Sequence, residues 1–413
     1  MEAVEKHKRG YKKTKLGLIP ESWSIKQLKD LGYVLSGLTY KPNDIDNNGV
    51  LVLRSSNVNE RQIIFEDNVF VDVNEGGFNP VRKGDILICV RNGSKSLIGK
   101  NAKINEQAEG MAFGAFMGVY RSVHNDYLFH LFDTDYYYRE IHRNLGATIN
   151  SINGSNLKKF YFPLPEASEQ KVIAKCLNTW DKAIQDISKL IGCKRLQKKG
   201  LMQQLLSGKK RLKGFNDEWT TWTYQELFKK VSRPVAWDDN EIYDLISVRR
   251  RSGGLFHRDS LKGEKILTKS LFTAKTGDFL MSKMQILHGA SGLVTEEFNN
   301  MKISGSYIAV IPQNKGTLIM EYLNWYSQTP YFYHQTYRSS YGVHIEKMTF
   351  NFKLFKKEEI ELPGIEEQQA IVDVLNAAQK EIDLLIQKRD QLKEQKKGLM
   401  QKLLTGKKRL NIK

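Results

Sequence analysis

The chain has 413 residues and carries 64 Lys and Arg against 46 Asp and Glu, a formal charge of +18. That length allows two or three domains with their own cores, and an apolar fraction of 40% excludes disorder over most of it. The excess of positive charge favours a polyanion, with a bland basic surface as the alternative. No run approaches the ~20 apolar residues of a membrane span. The segment MEAVEKHKRGYKKTK lacks the apolar stretch of a signal peptide. Cys89, Cys176 and Cys193 have no C-x-x-C spacing, which argues against a zinc site or disulfide framework and fits a reducing compartment. Nucleic acid in the cytoplasm is therefore a better partner than a membrane.

In chain order, residues 1–19 form a basic arm, and residues 20–163 read as a first globular domain. Its apolar stretches Val50–Leu53, Ile86–Val90 and Val119–Tyr120 alternate with Gly, Asn and Asp turns, and a helical pattern covers Tyr127–Arg143. Residues 164–212 form a helical region, and residues 213–361 a second domain with a β-like run at Ile308–Ile311 and a helical pattern at Leu318–Tyr333. Residues 362–413 form a second helical region. Each domain reads as α+β. The aromatic triplets Tyr136–Tyr138 and Tyr331–Tyr333 sit at helical positions, where core packing competes with base stacking.

The two helical regions are copies of one another. LPEASEQKVIAKCLNTWDKAIQDISKLIGCKRLQKKGLMQQLLSGKKRL and LPGIEEQQAIVDVLNAAQKEIDLLIQKRDQLKEQKKGLMQKLLTGKKRL align without a gap. Their offset is about 198 residues, too long for a solenoid and right for two copies of a domain-sized unit. Fainter echoes lie outside them. Trp23–Leu28 matches Trp222–Leu227, Gly84-Asp85 matches Gly277-Asp278, Gly99 matches Gly292, and Gly146–Ile149 matches Gly342–Ile345. Lys12–Gly17 resembles Lys209–Gly214, so the front of the chain looks like the tail end of a repeat.

Within the first region Ile173, Leu177, Trp180, Ile184, Ile187, Ile191, Lys194, Lys198, Leu201 and Leu205 recur at alternating steps of four and three. Ile371, Leu375, Ala378, Ile382, Leu385, Arg389, Leu392, Lys396, Leu399 and Leu403 do so in the second. This is heptad spacing, and two equal seams in one chain predict mutual pairing as an antiparallel coiled coil, with separate packing on each domain as the alternative. Ser168 is the expected N-cap, and Gly208 and Gly406 the expected stops. Each helix runs about 40 residues, or roughly 60 Å. Such a pair is a spacer holding two recognition modules apart. Lys194, Lys198, Arg389 and Lys396 interrupt the seam, to fix register or to meet another subunit.

Candidate DNA-contacting residues are Arg54 and Asn57, then Arg91, Asn92 and Lys95, then Arg249, Arg250 and Arg251, and finally Lys283 and Gln285. Arg and Lys bond guanine acceptors, and Asn or Gln bonds adenine bidentately. A solvated loop is the alternative for any one cluster. No catalytic site is expected. Asn79-Pro80 is followed by Val81, so the adenine-holding N-P-P-Y fails. Gly93–Lys100 mimics a phosphate loop, but with five residues between glycines and Asn101 where Ser or Thr belongs. Glu166 and Glu169–Lys171 resemble nuclease spacing, yet acids at a helix start complement the dipole. The eight histidines show no metal-ligand spacing.

Leu164-Pro165, Glu169-Gln170 and Ile173, running into Lys199–Gln203, Leu205-Leu206 and Gly208-Lys209 and found twice, resemble the conserved regions of type I restriction–modification specificity (S) subunits. Gly17–Pro20 with Trp23 and the two Gly-Asp pairs are similar to that family's target-recognition domains. The resemblance covers essentially the whole chain. It implies two target-recognition domains, each reading half of a bipartite duplex site, and helices that set the spacer and dock two modification subunits. Those subunits hold S-adenosylmethionine and methylate adenine. Restriction subunits driven by ATP and Mg²⁺ join them, in a prokaryotic cytoplasm. The chain itself is then a non-catalytic subunit without a cofactor or metal. Recognition sequence diverges in this family, so no base-contact residue is carried over. A coiled-coil scaffold whose repeated domains bind proteins is the competing reading.

Overall fold

The computed structural model describes residues 9–74, 76–145, 150–345 and 348–410. The Gly146–Ile149 copy of one repeated motif and the first eight residues of the basic arm lie outside them. The chain divides into two compact units, one running to Ile187 and resuming at Lys388, the other spanning Ser188–Gln387. The sequence-derived limits at 163/164 and 361/362 fall one residue before the ends of the strands Tyr161–Leu164 and Glu359–Leu362, which precede the long helices. The compact units instead cut each long helix near its middle, because each half-helix packs with one globular domain.

Each unit is α+β and built around a four-stranded antiparallel sheet. In the first the order is Asn101–Lys103, Ile86–Cys89, Met117–Arg121, Tyr33–Ser36. In the second it is Ser291–Leu293, Phe279–Ser282, Tyr307–Pro312, Phe228–Val231. The strand Ile86–Cys89 is apolar throughout because both its faces are covered. Ile86 and Ile88 join the core beneath the helices, while Leu87 and Cys89 join a second core on the opposite face. Phe279 and Met281 divide from Leu280 in the same way.

That second core is closed in the first unit by Ile45–Leu53, paired antiparallel with Phe70–Val71 and parallel with Ala112–Phe113. In the second unit Ile242–Val248 pairs antiparallel with Leu255–Lys262 and parallel with Lys302–Ser304. A short antiparallel pair, Ser24–Gln27 with Tyr161–Leu164, joins the start of the first domain to its end and leads into the long helix. Thr220–Thr223 with Glu359–Leu362 does the same in the second.

These pairs correct two of the sequence echoes. Ser24 faces Leu164 as Thr220 faces Leu362, so the counterpart of Trp23 is Trp219 and not Trp222. Asn101 faces Ile88 as Ser291 faces Met281, which aligns Gly99 with Gly289, both left-handed, in place of Gly292. The single helical patterns are also split, into Asn125–Leu131 and Asp135–Asn144, and into Met320–Tyr326 and Pro330–Arg338. Thr134 and Thr329 at the breaks are extended, and a residue before proline, as Thr329 is, disfavours helical backbone.

The long helices are Ala167–Leu205 and Ile365–Leu403, each of 39 residues. The first backbone bond of each runs from Gln170 to Glu166 and from Gln368 to Gly364, so Ser168 lies inside the first turn and is not the cap. Gly208 and Gly406 adopt φ of 68° and 69° where the helices stop. Within each unit the two half-helices run antiparallel. Glu169 meets Arg409 and Asp181 meets Lys396 in the first, and Lys194 meets Glu381 and Arg211 meets Glu367 in the second. Ile173, Leu177, Ile184, Leu205, Ile371, Leu375, Ile382 and Leu403 are buried as the heptads require. Leu201 and Leu399 are only partly buried, and their neighbours Met202 and Met400 fill the core there.

Candidate nucleic-acid interface

The repeated Leu-Pro…Glu-Gln motif builds a clamp at the base of each domain. The Glu169 carboxylate, 1% exposed, accepts from Trp23 Nε1 at 3.0 Å and from Arg409 Nε and Nη2 at 2.5 and 2.7 Å. Glu367, 3% exposed, accepts from Trp219 Nε1 at 3.3 Å and from Arg211 Nε and Nη2, both at 2.6 Å. A buried carboxylate needs such a set of donors, because ionised groups out of water are costly unless paired and bonded. Gln170 then donates to Pro165 O and accepts from His124 Nδ1, both at 2.8 Å. Gln368 donates to Pro363 O at 2.9 Å and accepts from Ile319 N at 2.9 Å. These side chains fix the strand, the short helix and the long helix of each domain to one another. The acids do more than complement a helix dipole. Trp23 is singled out by the sequence only as part of a repeated motif, and Trp219, Arg211 and Arg409 are not singled out by it, although the Glu and Arg of each clamp recur at the repeat offset.

The polar seam positions pair within their own units. Lys396 Nζ bonds Asp181 Oδ1 at 2.5 Å, and Lys198 Nζ bonds Gln379 Oε1 at 2.7 Å. His130, fully buried, sits 3.0 Å from Asn178 Oδ1, and burial together with the charges of Lys396 and Arg61 pulls its pKa down to about 3. Burial also lowers the pKa of Lys198, which lies 5.1 Å from the Trp325 ring. Lys194 pairs with Glu381 at 2.7 Å, and Arg389 with its neighbour Asp390.

In the first unit Asn92 Nδ2 donates to Ser55 Oγ at 3.2 Å and Lys100 Nζ to Ser55 O at 3.3 Å, which joins the loops at 54–57 and 91–95. Arg91 and Lys95 are exposed, and the Arg91 guanidinium lies 5.7 Å from the ring of exposed Phe116. Arg54 is tied to Asp67 at 2.8 Å. Asn57 is a correction. It is 0% exposed, and its amide donates to Ile64 O, Glu66 O and Asn68 Oδ1, so it organises the turn and offers nothing to a ligand. The phosphate-loop mimic is a single tight turn at Lys95–Leu97, with Lys100 bound to the neighbouring loop.

In the second unit Arg249, Arg250 and Arg251 are exposed on the connection between Ile242–Val248 and Leu255–Lys262, with Arg249 stacked 4.3 Å over Phe256. Lys283 Nζ donates to Gly305 O at 2.5 Å, and Gln285 is half-buried. A pocket of about 550 Å³ there is lined by Lys199, Met202, Arg250, Arg251, Ser252, His288, Gln328 and Tyr333. The first unit has a cavity of about 740 Å³ beside Gly84-Asp85. Its Lys83, Lys103 and Arg121 face Glu106, Asp126 and Asp85.

The Gly-Asp pairs themselves shape turns. Gly84 and Gly277 both have φ of 88°. Asp85 accepts from Arg82 N at 2.8 Å and from Arg121 at 2.8 and 2.6 Å. Asp278 accepts from Lys275 N at 2.9 Å and from Arg233 at 2.6 and 3.0 Å. Among the described residues no three His, Cys, Asp or Glu side chains gather to hold a metal, and no helix is long and apolar enough to cross a membrane.

The family model for the type I restriction modification DNA specificity domain matches residues 20–191 and 216–394. The chain is 26% identical to the putative type I restriction enzyme MjaX specificity subunit of Methanocaldococcus jannaschii over 96% of each. It is 30% identical to the MjaVIII specificity subunit of the same organism over 52% of each. With the EcoKI specificity subunit of Escherichia coli it shares 30% identity over 40% of this chain and 37% of that one. The chain thus aligns with nearly all of the first relative and with about half or less of the other two. Among solved structures, the type I restriction-modification S subunit from M. genitalium is similar with a TM-score of 0.55 and 14% identity, over 92% of this chain and 96% of that one. A chain from work on assembly and conformational transition of the type I R-M system gives 0.56 and 16%, over 94% and 99%. Those two likenesses speak to the fold.

Proposed function

The chain belongs to the type I restriction modification DNA specificity family, and from that membership we propose that its two units each read one half of a bipartite duplex site. It is a specificity subunit with DNA sequence recognition domains. The observation that carries the bipartite reading is the duplication itself. One clamp, one sheet order and one helix pairing are built twice, while the loops between Ile45–Leu53 and Phe70–Val71 and between Ile242–Val248 and Leu255–Lys262 differ. A constant frame with divergent loops suits two readers of two sequences.

In this reading the chain is non-catalytic. The helices set the spacer and dock two modification subunits, which hold S-adenosylmethionine and methylate adenine. Restriction subunits supply ATP- and Mg²⁺-dependent work, and the complex acts on DNA in the prokaryotic cytoplasm. Candidate contacts are Arg91, Asn92 and Lys95 in the first unit and Arg249, Arg250 and Arg251 in the second, with Lys283 and Gln285 deeper in the loop. The formal charge of +18 supports a duplex partner over a protein scaffold. Methylation-sensitive sequencing of a genome carrying this chain with its partners tests the proposal. The expected outcome is methylated adenines in a split motif with a spacer of fixed length. A single contiguous short motif would overturn the bipartite reading.

A further inference from the structure

The connection between the two antiparallel strands of the second core carries, in each unit, a turn with two consecutive left-handed residues. In the first unit these are Glu60 and Arg61, with φ of 44° and 64°, between paired Asn59 and Gln62. In the second they are Arg251 and Ser252, with φ of 57° and 53°, and Gly253 N donates back to Arg250 O. Two positive φ values make a type I′ turn, usually built from Asn and Gly; charged residues there accept backbone strain to place a side chain. In the first unit the placement is plain. Glu60 pairs with Lys393 of the long helix at 3.0 Å, and Arg61 bonds the carbonyls of Phe129 and Phe132.

In the second unit Arg251 occupies the place of Glu60. The acid that binds a helix lysine is exchanged for a cation, and that cation lines a pocket together with Lys199 of the long helix. Arg251 N is fixed by His288 O, while Ser252 N donates to Gly289 O and the hydroxyls of Ser252 and Tyr333 meet at 2.9 Å on the same wall. We infer that this pocket is a phosphate-binding site, with Lys199 and Arg251 as its cations and the Ser252 and Tyr333 hydroxyls as further donors. Two like charges lining one pocket are stabilised by an anion between them. The source of the phosphate, resting on the proposed reading of DNA, is the duplex backbone. The long helix then contributes to DNA binding directly through Lys199.

The test uses the full chain, duplexes with the split motif and with a scrambled one, and the variants Lys199→Gln, Arg251→Gln and Arg251→Lys. Each Gln variant is expected to weaken binding of both duplexes on the order of tenfold at low salt and to reduce the slope of log K against log salt by about one. The methylated motif stays unchanged, and Arg251→Lys retains most of the affinity. Titration with inorganic phosphate gives the second arm, with binding expected to the parent chain and not to either Gln variant. Phosphate binding lost in the variants without any change in duplex affinity keeps the pocket and moves its ligand to a free phosphate. Parent-like salt slopes and parent-like phosphate titrations in both Gln variants overturn the site. Lys199 is an exposed residue of the long helix and not part of the strained backbone turn, so Lys199→Gln decides the matter even where Arg251→Gln misfolds. A parent chain that binds no duplex breaks the DNA reading, while the phosphate arm still decides the pocket.

Discussion

In the first unit the polar turn of the helix seam is Asp181 with Lys396, set against buried His130; in the second it is Gln379 with Lys198, set against Trp325. The short helices supply His130 and Trp325 at matching places, and both reach an Asn of the long helix, Asn178 and Asn376, at 3.0 Å. The clamps, by contrast, are the same in kind in both units, each a buried Glu held by an Arg and a Trp. Where three elements converge the side chains are fixed. Where two helices merely cross, the lysine is met by a carboxylate in one unit and by an amide oxygen in the other. The duplication therefore preserves the joints and lets the surfaces between them drift.

The largest effect comes from breaking a joint. Glu367→Ala removes the buried carboxylate that Arg211 and Trp219 share and leaves Arg211 only the Asp217 carbonyl, and removing one partner of such a pair costs about 3 kcal/mol. The Glu169→Ala loss is smaller, about 2 kcal/mol, because Arg409 is 45% exposed and water replaces part of the bond. Urea denaturation of the full chain measures both. Equal and negligible shifts would show that the clamps are ornamental and that the helix seams carry the assembly.

How much of this was legible in the sequence follows from what each feature depends on. The helices and their pairing were readable because heptad periodicity is a local signal and the second copy repeats it. The strand Ile86–Cys89 was readable as a strand, but its apolar run on both faces made sense only once two cores were seen. The match of Trp23 to Trp222 slipped by three residues because Trp219 and Trp222 both lie in that stretch, and only strand register decides between them. Asn57 failed as a contact for a related reason. Asn suits adenine edges and tight turns equally, and its burial depends on Ile64, Glu66 and Asn68 folding around it. Arg91 and Lys95 are exposed, as a contact must be, yet exposure alone assigns them no base.

A second difference between the units is a pH dependence confined to the first. His130 is held neutral by burial and by the charges of Lys396 and Arg61, with a pKa of about 3, whereas an unfolded histidine titrates near 6.5. Its folded value is depressed, so the stability it contributes is complete above about pH 6.5 and is lost as pH falls from there toward 3. Between pH 7.5 and pH 5 the loss reaches about 2 kcal/mol. Replacement by glutamine, which does not titrate, removes this component, so the denaturation midpoints of the two proteins should converge as pH falls. Parallel midpoints across that range would mean that His130 takes up its proton in the folded state.

The smallest effect converts one seam into the other. Gln379→Glu gives Lys198 the carboxylate that Lys396 already has in Asp181. Burial penalises the charge on Lys198, and a partner 2.7 Å away offsets that penalty. The new charge must itself be partly desolvated, so the gain stays under about 1 kcal/mol. Lys198→Met in each background isolates the interaction as a double-mutant cycle. A coupling larger in the Glu background than in the Gln background means that the first unit's ion pair is the stronger seam. Equal couplings mean that the two units keep register equally well with and without a carboxylate on the lysine, and that His130 and Trp325 set the difference between them.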